Sequence, residues 1–524
     1  MKAAATTLFA LLITSAATAQ SVANLQTTPE RTRYEETSTH QDVMAFVRAV
    51  DAASDLIHLE TMGTTNEGRA IPLAVVGRGL RDGSPEAVRA SGKLRVYLQG
   101  NIHGGEVEGK EVLQMLLREI AQGQHGNWLD SMVLLIAPIY NADGNDNFGP
   151  RNRGRQHGPL KGMGQRPNAQ GLDLNRDHMK LESPEARGLI SMLNRYDPQV
   201  AVDLHTTDGT VHAYHLTYSP PLHPGTDARI TSILREQWLP QLTNNVRKKS
   251  GGWEFYYYGN VMGRDTARTW ATFDHRPRFN NNYAGLRNRF GILSEAYSYA
   301  TFEDRIKATR YFVDEVLDFA RANAPLIRRT VEQLDQQSIV GQNLPVRSDF
   351  ERAPQKVEIL LGEVIREANP YSGDTIWRRA DVKKPEMMWE AGTFKGTHFR
   401  AAPRAYFIPP EVVASAPMRV LEQHGLKIRT LTRDTTIAVE QFRIDSTRIA
   451  PRPFQGHQER TLWGDYEKAN VTMPKGTAVI DVAQPLGRLA FFLIEPESDD
   501  GLVTWNYFDT MLEGRKYFPI VRAR

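Results

Sequence analysis

Length, composition and charge set the first limits on this chain. Its 524 residues, 40% hydrophobic and 24% charged, are enough for two domains and have the balance of a globular protein. The net charge of +3 excludes the strongly basic field that is typical of nucleic-acid binding, and the lack of cysteine excludes disulfides and cysteine-bound metal.

The N-terminus has the pattern of an export signal. Lys2 precedes an apolar run, and the segment ends in the small residues Ala17 and Ala19. The run is too short to span a membrane, and no later segment is a candidate span. We therefore expect cleavage after Ala19 and a bacterial periplasmic or secreted protein. Export without cysteine is consistent with a core large enough to need no disulfides.

Strands and helices alternate along the chain up to about residue 340. Short apolar runs predict strands, and apolar residues that recur every 3.6 residues predict helices. The predicted strands are 56–62, 71–76, 94–100, 132–137, 200–204 and 291–294, and the predicted helices are 43–50, 112–120, one starting after the Ser183 cap, 230–246 and 306–321. This alternation predicts a layered α/β domain with a largely buried sheet.

From about residue 345 the pattern changes. Strand-like segments at 427–431, 436–439, 477–482 and 489–494 are separated by Pro and Gly. We predict a second, β-rich domain over 345–524 and assign it no role.

A histidine and a glutamate follow the strand 94–100. His103 and Glu106 flank Gly104-Gly105, a pair that lets the backbone turn so that both side chains can reach one ion. His205 lies at the end of the strand 200–204 and is the candidate third ligand. Two histidines and one glutamate, with a position open for water, form the ligand pattern of catalytic zinc. The ends of parallel strands meet at one edge of a sheet, which favours one shared site.

A zinc-dependent hydrolase also needs a general base and a means of holding its substrate. Glu295 follows the strand 291–294 and is the predicted base; Glu303 competes but falls within the following helix. Asn175 and Arg176 are suited to clamp a substrate carboxylate, since arginine binds carboxylates with two hydrogen bonds. Asp173 is suited to orient a zinc-binding histidine.

Together these residues resemble a known family. His103-Gly-Gly-Glu106, Asn141-Ala-Asp-Gly144, Asp173-Leu-Asn175-Arg176, His205 and Glu295, in this order, are similar to the zinc carboxypeptidases of the carboxypeptidase A type. Ala142 stands where the family usually has proline, and Asp177 where many members have asparagine.

The resemblance implies a catalytic domain over 20–340 with a mixed, mostly parallel sheet flanked by helices, and it implies the roles of these residues. His103, Glu106 and His205 would bind one zinc ion, Glu295 would be the base, and Asn175 and Arg176 would hold the C-terminal carboxylate of a peptide. Two further roles follow from the resemblance alone. An arginine among Arg151, Arg153 and Arg155, of which we prefer Arg153, would stabilise the oxyanion. A mobile tyrosine would contact the substrate, and Tyr283 is the nearest match.

The predicted function is that of an exported zinc carboxypeptidase acting on peptides with a free C-terminus, without a nucleic-acid partner and without a membrane span after signal cleavage. Two alternatives are a zinc amidohydrolase, which would include deacylases and cell-wall peptide hydrolases, and a non-catalytic binding protein. The sequence specifies neither the preferred side chain nor the oligomeric state. The long segment 147–170, rich in Gly, Arg, Asn and Pro, is predicted to be a functional loop or disordered.

Overall fold

The computed structural model describes residues 22–207 and 209–524. The predicted export signal therefore lies outside the described residues. Up to residue 296 the strands are β1 (Ile57–Thr64), β2 (Ala70–Val76), β3 (Leu94–Gly100), β4 (Met132–Ala137), β5 (Val200–Thr206), β6 (Leu216–Ser219), β7 (Phe255–Tyr257), β8 (Asn260–Met262), β9 (Thr269–Ala271) and β10 (Phe290–Ala296).

Helices connect and cover these strands. They are α1 (Thr28–Arg31), α2 (His40–Ala53), α3 (Pro85–Ala90), α4 (Glu108–Ala121), α5 (Trp128–Ser131), α6 (Ala142–Asp146), α7 (Pro184–Tyr196), α8 (Ala228–Ser232), α9 (Leu239–Lys249), α10 (Asn280–Leu286), α11 (Phe302–Ala322) and α12 (Ala324–Gln336). A π-helical turn, Ile233–Trp238, joins α8 to α9 where one continuous helix was predicted.

Local sequence explains several of these helices. In α4 the five apolar residues at helical spacing, from Val112 to Ile120, are all buried, as the periodicity predicts. The predicted cap of α7 is also confirmed, because the Ser183 side chain accepts a hydrogen bond from the Ala186 backbone N–H and Pro184 occupies the first turn.

The central sheet has eight strands in the order β1-β2-β4-β3-β5-β10-β6-β7. Its middle strands β4, β3, β5 and β10 are parallel, whereas β1, β2 and β6 each join by antiparallel pairing. Alternate residues of one strand enter different cores: Val96 and Leu98 pack on one face with α4, and Tyr97 packs on the other. The middle strands are therefore covered by apolar cores on both faces.

The rest of the chain is β-rich, and the predicted fold class is confirmed. Its strands are β11 (Asn343–Glu351), β12 (Val357–Leu361), β13 (Val364–Ala368), β14 (Thr375–Arg379), β15 (Lys384–Ala391), β16 (Thr393–Ala401), β17 (Ala405–Ile408), β18 (Arg429–Thr430), β19 (Thr435–Ile449), β20 (Arg460–Met473), β21 (Ala478–Asp481) and β22 (Val521–Ala523). The helices are α13 (Pro410–Val413), α14 (Ala416–Gln423), α15 (Gly487–Ile494) and α16 (Asp509–Leu512).

One predicted strand of this region is wrong. Residues 489–494 belong to the helix α15, every residue of which is buried. A short, wholly apolar run has no period that separates a buried helix from a buried strand, and the surrounding core decides between them.

The C-terminal region is packed into the first part of the chain. Strand β15 pairs with β9, and one hydrophobic core joins Met179, Ile190 and Tyr283 to residues of α14, α15 and β21. Within the described ranges, no helix combines the length and the apolar character needed to cross a bilayer.

Candidate metal centre

The polar residues of interest meet at the carboxyl ends of three parallel strands. His205 on β5 lies directly beside Glu295 on β10, and Gln99 on β3 lies beside Asp203 on β5. Because side chains two residues apart share a face of a strand, Asp203 and His205 point to the same side, as do Leu293 and Glu295. The sheet thus places an imidazole and a carboxylate next to each other without help from loops.

The turn after β3 carries the other two candidate ligands. Asn101 begins this turn in a left-handed conformation (φ 65°), and its side-chain amide donates to the carbonyl oxygens of His103, Gly104 and Glu106. A Cβ atom on Gly104 would overlap the backbone of Gly144, so glycine is required where these two turns cross. The turn brings His103 and Glu106 opposite His205.

Three donors converge in this space. His103 Nδ1 and His205 Nδ1 lie 3.3 Å apart, and each is 3.0 Å from a carboxylate oxygen of Glu106. Two nitrogens that bind one zinc ion tetrahedrally at about 2.0–2.1 Å are themselves roughly 3.3 Å apart. The three side chains are buried, and their donor atoms lie within 4.8 Å of one another. The residues therefore fit a single zinc ion.

A second carboxylate holds each histidine ring from behind. Asp173 Oδ1 lies 3.0 Å from His103 Nε2, a contact that would orient this ring, and Asp203 Oδ2 lies 2.8 Å from His205 Nε2. These contacts leave both Nδ1 atoms for a metal. The sequence analysis missed Asp203, although its place two residues before His205 on one strand was a usable signal.

The charge of the cluster is consistent with metal binding. Burial alone would raise the pKa of Glu106, but His103 and Arg153 hold that pKa well below its ordinary value. Burial likewise disfavours protonated His205, yet Asp203 and Glu106 raise the pKa of His205 well above its ordinary value. The cluster therefore keeps an ionised carboxylate and attracts positive charge.

The predicted clamp faces the same cavity. The Asn175 Oδ1 atom accepts a hydrogen bond from the backbone N–H of Asn280 at 2.9 Å, which leaves its amide NH2 group for a substrate. The Arg176 guanidinium lies 3.9 Å from the Phe279 ring centroid, and its nearest carboxylate oxygen, on Asp173, is 3.9 Å away. Burial lowers the pKa of Arg176, so a substrate carboxylate would relieve the cost of burying this cation.

The prediction for the oxyanion arginine needs correction. Arg153 lies behind the metal ligands, where its guanidinium donates to Glu106 Oε1 at 2.9 Å and to the carbonyl oxygens of Thr206 and Thr207. Arg166, by contrast, lines the cavity and contacts Asp173 Oδ2 at 2.9 Å. The segment 147–170 has no periodicity that distinguishes its arginines. Arg166 lies nearest to the clamp in sequence, seven residues before Asp173, and this position was the signal that the sequence offered.

The alternatives Arg151 and Arg155 lie farther out. Arg151 pairs with Asp374, and Arg155 stacks on Trp377.

The prediction for Tyr283 is also wrong. Its side chain lies in the core shared with the C-terminal region, is 1% exposed, and has its hydroxyl 2.8 Å from His424 Nδ1. A tyrosine fixed in this way has no route to a substrate. Tyr258, which follows β7, lines the cavity instead, and its ring packs edge-on against Phe273.

Ligands, clamp and predicted base surround one cavity of about 340 Å³. Its lining residues are His103, Glu106, Arg166, Asp173, Asn175, Arg176, His205, Thr206, Tyr258, Phe273, Phe279, Leu293, Glu295 and Phe454. Glu303 lies on the outer side of α11 and pairs with Lys307, which removes it as a rival to Glu295. A metal ligand set, an acidic residue beside it and a partly buried arginine in one cavity define a metal-dependent hydrolase.

Comparison with known proteins agrees with this class. Residues 43–270 match the family model of the zinc carboxypeptidases. Residues 43–270 thus form a zinc carboxypeptidase domain, and the protein is a zinc-dependent metallocarboxypeptidase. The matched residues include the three ligands and the clamp, whereas Glu295 lies beyond them.

Relatives and solved structures with carboxypeptidase names are similar to the chain. Carboxypeptidase 2 of Trichophyton tonsurans is 24% identical over 453 residues, which cover 83% of this chain and 77% of the relative. Human carboxypeptidase D is 29% identical over 200 residues, 33% of this chain and 14% of the relative. A putative carboxypeptidase A from Shewanella denitrificans aligns with a TM-score of 0.40 at 18% identity, over 55% of this chain and 69% of that structure.

Proposed function

We propose that the enzyme removes C-terminal residues from peptides, with Glu295 as the general base and with Asn175 and Arg176 holding the substrate's terminal carboxylate. The observation that carries this proposal is the single cavity that both His205–Glu295 and Asn175–Arg176 line. A peptide whose carboxylate met Arg176 would extend from there towards the metal ligands. The clamp thus selects the end of a chain rather than its middle.

The residues have distinct tasks in this reaction. His103, Glu106 and His205 would hold zinc, which when bound lowers the pKa of water and polarises a carbonyl group. Glu295 takes a proton from the attacking water and passes it to the leaving amine. Arg166 donates hydrogen bonds to the oxygen of the scissile carbonyl as negative charge develops there. Asp173 and Asp203 keep the two imidazole rings in position.

Matched peptides test this proposal. A blocked dipeptide with a free C-terminus and its C-terminal amide would be incubated with the zinc-loaded enzyme, with and without a chelator. We expect cleavage of the free peptide, loss of that activity with chelator, and its return when zinc is added. Equal cleavage of the amide would contradict the clamp and favour a deacylase or other amidohydrolase.

We also propose that the enzyme is exported, that 20–340 is its catalytic domain and that 345–524 is a β-rich domain packed against it. The pattern of residues 1–19 supports export. Expression of the full chain in a bacterium, followed by fractionation and N-terminal sequencing, tests this part. A mature N-terminus at Gln20 in the periplasm or medium is expected, and an intact Met1 form in the cytosol would contradict it.

A further inference from the structure

The hairpin formed by β19 and β20 extends from the C-terminal region to the metal centre. Residues 450–459 connect these strands, and we call this segment the hairpin tip. Phe454 at the tip is one of the residues that line the cavity with His103 and Glu295. The neighbouring Gln455 accepts, through Oε1, a hydrogen bond of 2.8 Å from the backbone N–H of Asp173. The tip therefore touches both the cavity and the residue that orients His103.

Contacts from both parts of the chain hold the tip in place. His457 Nε2 lies 2.6 Å from Glu182 Oε1, and His457 Nδ1 lies 3.1 Å from Asn506 Oδ1. The Arg278 guanidinium, buried against Asp500, lies 5.2 Å from the Phe454 ring centroid. A loop tied down on both sides presents its side chains in fixed positions.

The backbone at the tip adopts an uncommon conformation. Gln455 has a φ of 50° and is followed by Gly456 at 82°. A non-glycine residue in the left-handed region is unfavourable unless its surroundings stabilise it. At Gln455 the left-handed conformation occurs together with the hydrogen bond that its Oε1 atom accepts from the Asp173 backbone N–H.

The cavity lining has the character of a pocket for an apolar side chain. Phe273, Phe279 and Leu293 line it together with Phe454. Among the described lining residues, the carboxylates are those of Glu106, Asp173 and Glu295, which all belong to the metal centre and its base. A basic substrate side chain would find no separate acidic partner within this described lining. Phe454 is 39% exposed and offers apolar surface that a substrate residue would cover.

We propose that the hairpin tip is part of the peptidase active site: Phe454 forms a wall of the pocket for the substrate's C-terminal side chain and favours large apolar residues there, and Gln455 is a positioning residue for Asp173. This inference rests on the proposed carboxypeptidase function. It gives the C-terminal region a direct part in substrate selection.

Substitution of Phe454 tests the proposed pocket wall. The Phe454→Ala variant should lower kcat/KM for a peptide ending in Phe or Leu by about tenfold, mainly through KM, because apolar contact with the substrate is lost. Peptides ending in Gly should change little, so the preference for the large residue should shrink. Ile449→Ala, an exposed apolar position on the same hairpin, is the matched control. An unchanged preference in a folded Phe454→Ala variant would overturn the proposed wall.

Substitution of Gln455 tests the proposed positioning role. Gln455→Met keeps the size of the side chain but removes the acceptor for Asp173, and we expect zinc to bind about tenfold more weakly. Zinc affinity would be measured by competition with a chelator, and the melting temperature of the metal-free protein would be recorded beside it. Gln458→Ala on the same tip is the control. Unchanged zinc affinity would overturn the positioning role.

These measurements separate two kinds of failure. If the wild-type enzyme cleaves no peptide with a free C-terminus, the proposed function fails, and the zinc affinities still decide the role of Gln455. If the wild type is active but Phe454→Ala keeps its preference for large terminal residues, only the proposed wall fails.

Discussion

The metal centre has two halves that are built differently. One half lies on strands: His205 and Glu295 are neighbours on β5 and β10, and Asp203 supports His205 from the same strand. The other half lies on turns and loops, with His103 and Glu106 after β3 and the clamp after the segment 147–170. In the first half backbone pairing fixes the spacing, whereas in the second half side-chain contacts must do so.

The contacts of Asp173 illustrate this difference. Asp173 touches His103, Arg166 and, through its backbone N–H, Gln455, so three separate chain segments converge on one residue. Asp203 has a simpler support, because Gln99 of the adjacent strand donates to its Oδ1 atom at 3.1 Å and Tyr97 donates to Gln99. In the loop half Asp173 therefore couples metal binding to substrate binding, whereas in the strand half Asp203 supports only the metal ligand His205.

Arg166 and Arg153 give the largest contrast expected from this comparison. Arg166→Ala should lower kcat by about 10²–10³-fold with zinc affinity nearly unchanged, since it removes a donor to the developing oxyanion. Arg153→Ala should instead weaken zinc binding by about 10–100-fold, because Glu106 loses the partner that holds it. Steady-state kinetics at saturating zinc and chelator competition would measure both quantities. The reverse pattern would restore Arg153 as the oxyanion residue.

The two supporting aspartates give a smaller effect. Asp203→Asn and Asp173→Asn should each weaken zinc binding by about 10–100-fold. Asp173→Asn should in addition raise KM at saturating zinc, because Arg166 and Arg176 both lie near this carboxylate. Asp203→Asn should leave KM close to the wild-type value. Equal KM values for the two variants would remove the distinction between the halves.

The smallest effect concerns a residue outside both halves. Burial disfavours ionised Glu119, but hydrogen bonds with His125 and Arg310 lower the pKa of Glu119 to about 2, against an ordinary value of 4.5. The ionised group therefore stabilises the fold above about pH 4.5, and this stability is lost as the pH falls towards 2.

The contribution should be about 1 kcal/mol, because the group is partly exposed to solvent. Urea unfolding of Glu119→Gln and wild type between pH 3 and 7 would show curves that converge in acid. A constant difference at every pH would contradict the role of ionisation. Zinc affinity at neutral pH should not change.

The sequence brought residues of both halves to one predicted site, but it missed Asp203 in the strand half and did not place the arginines near the loop half. His205 and Glu295 follow short apolar runs, and parallel strands bring the ends of such runs together, so their meeting could be foreseen. Asp203 was equally accessible through the two-residue period of a strand. The segment 147–170 has no period, and its arginines are placed by contacts such as Arg153 with Glu106, which no local pattern encodes.

Local sequence patterns also could not predict the contacts with the C-terminal region. Tyr283 looked like a substrate residue because of its position before Glu295, but His424, 141 residues later, fixes its hydroxyl in a core. The same applies to Phe454 and Gln455, which reach the cavity from a distant hairpin. The strand predicted at 489–494 failed for a related reason, since tertiary packing rather than local pattern makes it helical.

Glu295→Gln tests the central claim most directly, because Glu295 is the one proposed catalytic group that lies outside the matched family residues. The variant keeps the shape of the side chain but cannot take a proton. Turnover of a peptide with a free C-terminus and bound zinc would be measured on the same sample. The account predicts a loss in kcat of about 10²–10⁴-fold with zinc content equal to that of the wild type. A variant that keeps wild-type turnover, or loses its zinc, would contradict the assignment of Glu295 as the base.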